Sequence, residues 1–131
     1  MKKTLLILII VMLALLVLIS GGFAQKKPDV VGTWIGYAIV GDGSRVDFTV
    51  VIEKGQAGYT GKLLDTTGMI PESPLKNIVF KDNKLTFEFD LAEGMDSQLI
   101  KIDLTLENET LKGAWIDPEG STGLIELTLK K

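Results

Sequence analysis

The chain contains no cysteine and no histidine. Without cysteine there is no disulfide staple, no thiol nucleophile and no lipid attachment through an N-terminal cysteine, so stability has to come from packing and strand pairing. Without histidine the imidazole base and the usual zinc sites are gone. No run of basic residues occurs either, and acidic residues outnumber basic ones 17 to 14. That balance argues against nucleic acid and against anionic membrane surfaces as partners. Enzymatic chemistry is left with serine–lysine or paired-carboxylate schemes. Ser44, Ser73, Ser97 and Ser121 all fall in turn-like contexts, where a hydroxyl ordinarily bonds to nearby backbone. Gly41-Asp42-Gly43 lacks the following helix that a phosphate loop needs, and the carboxylates show no calcium-loop spacing. The expectation is a non-enzyme with no catalytic residue, no metal and no cofactor.

The one long apolar run lies at the start. Met1-Lys2-Lys3 precedes an unbroken apolar stretch from Leu5 to Ile19, and Ser20-Gly21-Gly22-Phe23-Ala24 places small residues ahead of Gln25. Residues 1–24 read as a secretory signal peptide. The alternative is an uncleaved N-terminal anchor, since 5–24 approaches the roughly 20 residues a membrane span needs. Either way the folded part is expected outside the cytoplasm, in the periplasm or the extracellular space. Without Lys2 and Lys3, 12 basic residues face 17 acidic ones, a net charge of −5. What remains is a short tail, 25–30, and one domain, 31–131, long enough for a single core and not expected to span a membrane.

Period-2 alternation then sets the fold class. In 45–53, Val46, Phe48, Val50 and Ile52 share a face; in 84–91, Leu85, Phe87, Phe89 and Leu91 do; in 99–106, Ile100, Ile102, Leu104 and Leu106 do. Weaker runs lie at 31–40, 57–64, 76–81, 111–116 and 122–130. Eight short strands with no helical period imply an all-β protein.

The turns predict register. Asp82-Asn83 as a two-residue turn pairs Lys81 with Lys84 and puts Phe80 and Leu85 on one face. Asn108-Glu109 does the same for Leu106 and Leu111. Lys54-Gly55, read the same way, pairs Ile52 with Ala57 and sets Phe48 opposite Gly61. Pro118-Glu119-Gly120 reads as a three-residue loop with glycine in the left-handed conformation, which pairs Gly113 with Ile125 and Leu111 with Leu127. Gly113 would then leave space for Ile125 across from it. An up-and-down order gathers the two-residue turns at one end and the longer connections 41–44, 65–75, 92–97 and 117–120 at the other. Such an order most simply closes into an eight-stranded antiparallel up-and-down β-barrel, with a flattened β-sandwich as the competing shape.

Gly32-Thr33-Trp34-Ile35-Gly36 at the first strand resembles the Gly-x-Trp opening of lipocalin-type, calycin-like barrels. The chain is more closely similar to the small lipocalin-like domain of exported bacterial proteins that often precedes an α/β-hydrolase domain. The resemblance runs through "YTGKLLD" (59–65), "IVFKDNKLTFEF" (78–89), "LKGAWIDPEG" (111–120) and "LIELTLK" (124–130). It implies a lipocalin-like barrel that binds a ligand. The barrel is expected to stand without a following hydrolase domain, so the enzymatic activity of such relatives does not carry over.

Two classes of function remain open. A carrier would hold a small apolar ligand inside the barrel, lined by Trp34, Tyr37, Phe48, Tyr59, Met69, Ile70, Phe87, Phe89, Met95 and Trp115. In strand 1, Ile35, Tyr37 and Ile39 compete with Trp34 for the inside. Alternatively, Trp34 and Trp115 close a filled core, Met69, Ile70 and Met95 plug the barrel end, and a protein partner docks on Asp42, Asp65, Glu93, Asp96, Asp117 and Glu119. Oligomeric state leaves no signature in the sequence.

Overall fold

Every alternating run becomes a strand in the computed structural model, which describes residues 28–67, 71–93 and 95–131. The strands are β1 (Gly32–Ile39), β2 (Arg45–Gly55), β3 (Gly58–Asp65), β4 (Ser73–Pro74), β5 (Lys76–Lys81), β6 (Lys84–Glu93), β7 (Asp96–Glu107), β8 (Thr110–Ile116) and β9 (Thr122–Leu129). They form one antiparallel sheet in the order β4-β3-β2-β1-β9-β8-β7-β6-β5. The described residues contain no helix, and hence none long and apolar enough to cross a membrane. The apolar run of residues 1–24 lies outside the described residues.

The sheet curls into a nearly closed barrel. Its two edges, β4 and β5, are consecutive in the chain and separated only by Leu75, whose N–H donates to the Gly61 carbonyl at 2.9 Å. β5 packs beside β3 and β6 beside β4, so the chain itself bridges the seam. A β-bulge between Lys76 and Val79, with Asn77 at φ 50°, bends the strand at this point. The two-residue β4 is the ninth strand, which alternation has no length to reveal.

Three of the four predicted registers hold: Phe80 pairs with Leu85, Leu106 with Leu111, and Gly113 with Ile125. Asp82 and Asn83 both take positive φ, as a type I′ hairpin requires, and Gly120 sits at φ 86° in the three-residue loop. The β2–β3 hairpin is different. It turns at Gln56-Ala57, between paired Gly55 and Gly58, so Ile52 faces Gly61 and Phe48 faces Asp65. Gly58 adopts φ 127°, a conformation that favours glycine there. The true register differs from the expected one by four residues, an even shift that keeps every side chain on its expected face. Alternation is blind to such a shift.

The 92–97 connection is also shorter than expected. Ala92 pairs with Ser97 and Glu93 with Asp96, so the β6–β7 hairpin extends past the core as ladder. Ala92, Asp96 and Ser97 are exposed there, so burial does not demand alternation. Gly113 has a different role from the one expected. A Cβ built on it would lie 1.9 Å from the Asp103 carbonyl oxygen, so glycine lets the β8 backbone press against β7.

The core fills the end of the barrel that carries the two-residue turns. Trp34, Ile52, Leu85, Leu104, Leu111 and Leu127 are almost fully buried there. Val30, with no exposed surface, inserts ahead of β1, and its carbonyl accepts a 2.9 Å hydrogen bond from Trp34 Nε1. Tyr59 donates to Asp29 Oδ1 at 2.9 Å and ties the same entering segment to β3. Residues 28–30 thus close the barrel base.

Candidate functional site

The inward rows of β1 and β9 carry less bulk toward the opposite end of the barrel. On β1 the inward row reads Trp34, Gly36, Ala38; beside it, β9 reads Leu129, Leu127, Ile125, Gly123. Bulk at the base gives way to almost nothing at the mouth. The space left is an apolar cavity of about 290 Å³, bounded by Ala38, Phe48, Leu63, Phe89, Ile100 and Trp115. By ~30 Å³ per water, that is room for roughly ten water-sized groups, near the lower limit of small-molecule sites. Gln98 and Asp117 are the polar residues of its lining, and no lysine or arginine takes part.

Trp115 forms the roof of this space. It pairs in register with Gly123 and reaches over it, so that its Nε1 donates to the Ile39 carbonyl of β1 at 2.9 Å. A Cβ on Gly123 would come within 2.6 Å of that nitrogen. The indole therefore spans β8, β9 and β1, held at its polar edge with its apolar face toward the cavity.

Of the residues expected to line a ligand site, Phe48, Phe89 and Trp115 come together around the cavity. Trp34 and Phe87 belong to the filled half. Strand 1 turns its Trp34 face inward, so Tyr37 points out of the barrel. There its ring lies 4.1 Å from the Arg45 guanidinium and its hydroxyl donates to Glu126 Oε2 at 3.2 Å. Tyr59 sits at the base, where burial first, and then its hydrogen bond to Asp29, pushes the phenol above the ordinary tyrosine pKa. Met95 is fully exposed at the tip of the β6–β7 hairpin, so it plugs nothing. Met69 and Ile70 lie outside the described residues.

Ala38, Val46, Leu63, Leu91, Gln98 and Ile100 line the cavity without having been singled out from the sequence. Most fall on faces that alternation already marks as inward. The signal that distinguishes them is the small residue at position 38, whereas aromatic bulk drew attention to the base.

The acidic residues do gather at the mouth. Asp42 accepts the Ser44 N–H at 2.8 Å, Asp65 accepts from the Thr67 N–H and hydroxyl, and Asp117 accepts from the Glu119 and Ser121 N–H groups, each at 2.9 Å. The hydrogen bonds from Ser44 hold Asp42 below the usual carboxylate pKa. Asp96 opens β7, Glu119 stands in the β8–β9 turn, and Glu93 is placed here by its backbone pairing with Asp96. Arg45 is bound to Asp47 Oδ1 at 2.8 Å, which raises its already high pKa. No three of His, Cys, Asp and Glu among the described residues are arranged to hold a metal. Ser73, largely buried, donates to the Pro71 carbonyl at 3.0 Å, a turn contact.

A second hollow lies on the outer wall beside Tyr37, Arg45, Asp47 and Glu126, with a volume of about 430 Å³. Its charged groups are already engaged, Arg45 with Asp47 and Glu126 with the Tyr37 hydroxyl. The inner cavity is the better candidate site. Compared with known protein families and with curated protein sequences, the chain matches none.

Proposed function

We propose that this is an exported, non-enzymatic, lipocalin-like binding domain that holds a small apolar ligand in the cavity beneath Trp115. The carrying observation is the apolar space of about 290 Å³ at the wide end of an otherwise filled barrel. An apolar hollow of this size, open at the mouth, lies near the lower limit of the spaces that take small ligands. The Gly-x-Trp units at both ends of the fold support the lipocalin-like resemblance. The apolar run of residues 1–24 supports export to the periplasm or beyond.

The test is native mass spectrometry on protein expressed from the full chain through its own export route and purified gently. A reproducible extra mass, lost on denaturation and recovered by solvent extraction, is the expected result. A bare protein that also fails to bind 1-decanol in calorimetric titration would overturn the proposal. A complex with a basic protein, formed through the acidic mouth and weakened by salt, would favour a docking domain instead.

A further inference from the structure

The mouth is charged on one side of neutrality only, and the chemistry of a bound ligand follows from that. In residues 41–47, 65–67, 95–97 and 117–121, Asp42, Asp47, Asp65, Asp96, Asp117 and Glu119 face one cation, Arg45. That cation is engaged on the outer wall, by Asp47 and by the Tyr37 ring. Lys62 pairs with Glu72 at 3.0 Å and Lys76 with Asp90, while Lys101, level with Lys76 across β6, is exposed on the outer wall, away from the cavity lining. At the base, in 28–29, 53–58, 81–84, 107–110 and 130–131, Asp29, Glu53, Asp82, Glu107 and Glu109 are balanced by Lys54, Lys81, Lys84, Lys130 and Lys131. The barrel therefore carries its negative charge at its open end. Asp117 belongs to the acidic mouth and to the cavity lining alike.

Taking the binding proposal above as its premise, we infer that the ligand is a cationic amphiphile, its apolar tail under Trp115 and its ammonium-type head among the mouth carboxylates. A fatty acid would have the opposite arrangement. Its tail fits equally well, but its carboxylate would emerge among like charges with no lysine or arginine on the cavity wall to meet it. Like-charge juxtaposition disfavours that partner, while a cation gains attraction and faster capture from the same field. Asp117 holds its turn through one oxygen, Oδ1, and its charge remains available to an incoming cation electrostatically.

The experiment is a calorimetric titration at pH 7 of protein expressed from the full chain with n-decylamine, 1-decanol and decanoate, three probes with one tail length. The amine should bind about tenfold more tightly than the alcohol at low salt, and decanoate most weakly. The preference should shrink several-fold near 1 M salt, where the screening length is about 3 Å. A combined Asp42→Asn, Asp96→Asn and Glu119→Gln variant removes three mouth charges without touching the cavity lining, and the asparagine at position 42 keeps the oxygen that accepts from Ser44. It should lose most of the amine preference and bind 1-decanol unchanged, which also shows that it folds. Equal binding of all three probes, or tightest binding of decanoate, overturns the cationic assignment and leaves the apolar carrier standing. If no probe binds, the carrier proposal falls and this inference falls with it.

Discussion

Replacing Ala38 by isoleucine tests whether the void is real, because the same kind of enlargement has opposite signs in empty and filled space. Isoleucine adds three carbons to an inward position that borders the cavity. At about 0.8 kcal/mol per buried methylene the gain is bounded near 2.4 kcal/mol. Ordering the longer side chain returns about 0.5–1 kcal/mol, leaving a net stabilisation of at most roughly 1.4–1.9 kcal/mol. In the filled half, Val50 has no exposed surface, and Val50→Ile forces one methylene into occupied space at a cost of about 1–3 kcal/mol. Urea denaturation of both variants beside the wild type, with unchanged m-values, reads the two signs directly. In a thermal melt, 1 kcal/mol corresponds to a shift of about 4–8 °C for a domain near this size. Three carbons of ~30 Å³ each take about a third of the space, so 1-decanol binding should weaken by more than about tenfold. Ala38→Ile destabilising as much as Val50→Ile would mean the mouth is packed, and the site reasoning would fail with it.

Gly113→Ala should cost about 3 kcal/mol or more by denaturation, because the added carbon would meet the Asp103 carbonyl of the neighbouring backbone. A cost below about 1 kcal/mol would restore the simpler role of making room for Ile125. Tyr59 should titrate above an ordinary tyrosine when absorbance is followed at alkaline pH. Its folded-state pKa is raised, so its contribution to stability is complete below about pH 10 and is lost as pH climbs through the folded value. Tyr59→Phe should remove that alkaline loss, and a melt whose pH dependence is the same in both proteins would refute the assignment.

Much of the barrel was legible because a half-buried strand has to alternate and a tight hairpin has to carry residues that tolerate positive φ. Asp82-Asn83 and Pro118-Glu119-Gly120 satisfied both demands, and their registers follow. Lys54-Gly55 misled because two glycines, Gly55 and Gly58, flank the true turn, and either can end a strand. The four-residue offset kept Tyr59, Gly61 and Leu63 on their expected face, so no hydrophobic mismatch exposed it. β4 and the outer part of the β6–β7 hairpin escaped for another reason. One is too short to alternate, and the other lies beyond the core, where burial no longer selects residues.

The site was less legible because a cavity is specified by what side chains omit. Large aromatic residues mark where apolar area is available, and they are found in both halves: Trp34 and Phe87 in the packed base, Phe48, Phe89 and Trp115 at the void. Aromatic content alone cannot separate these. What separates them is the pairing of two inward rows on adjacent strands, Trp34-Gly36-Ala38 against Leu129-Leu127-Ile125, and this pairing exists only once β1 is known to lie beside β9. That contact joins the two ends of the chain and is the most distant in sequence. Closure of the sheet thus does two things together. It removes the edges of β1 and β9, and it sets Ala38 beside Ile125 on the cavity wall near Trp115, whose bond to Ile39 reaches from β8 across β9 to β1. The two Gly-x-Trp units divide the labour accordingly: Trp34 seals the base against Val30, while Trp115 roofs the space that the small residues leave.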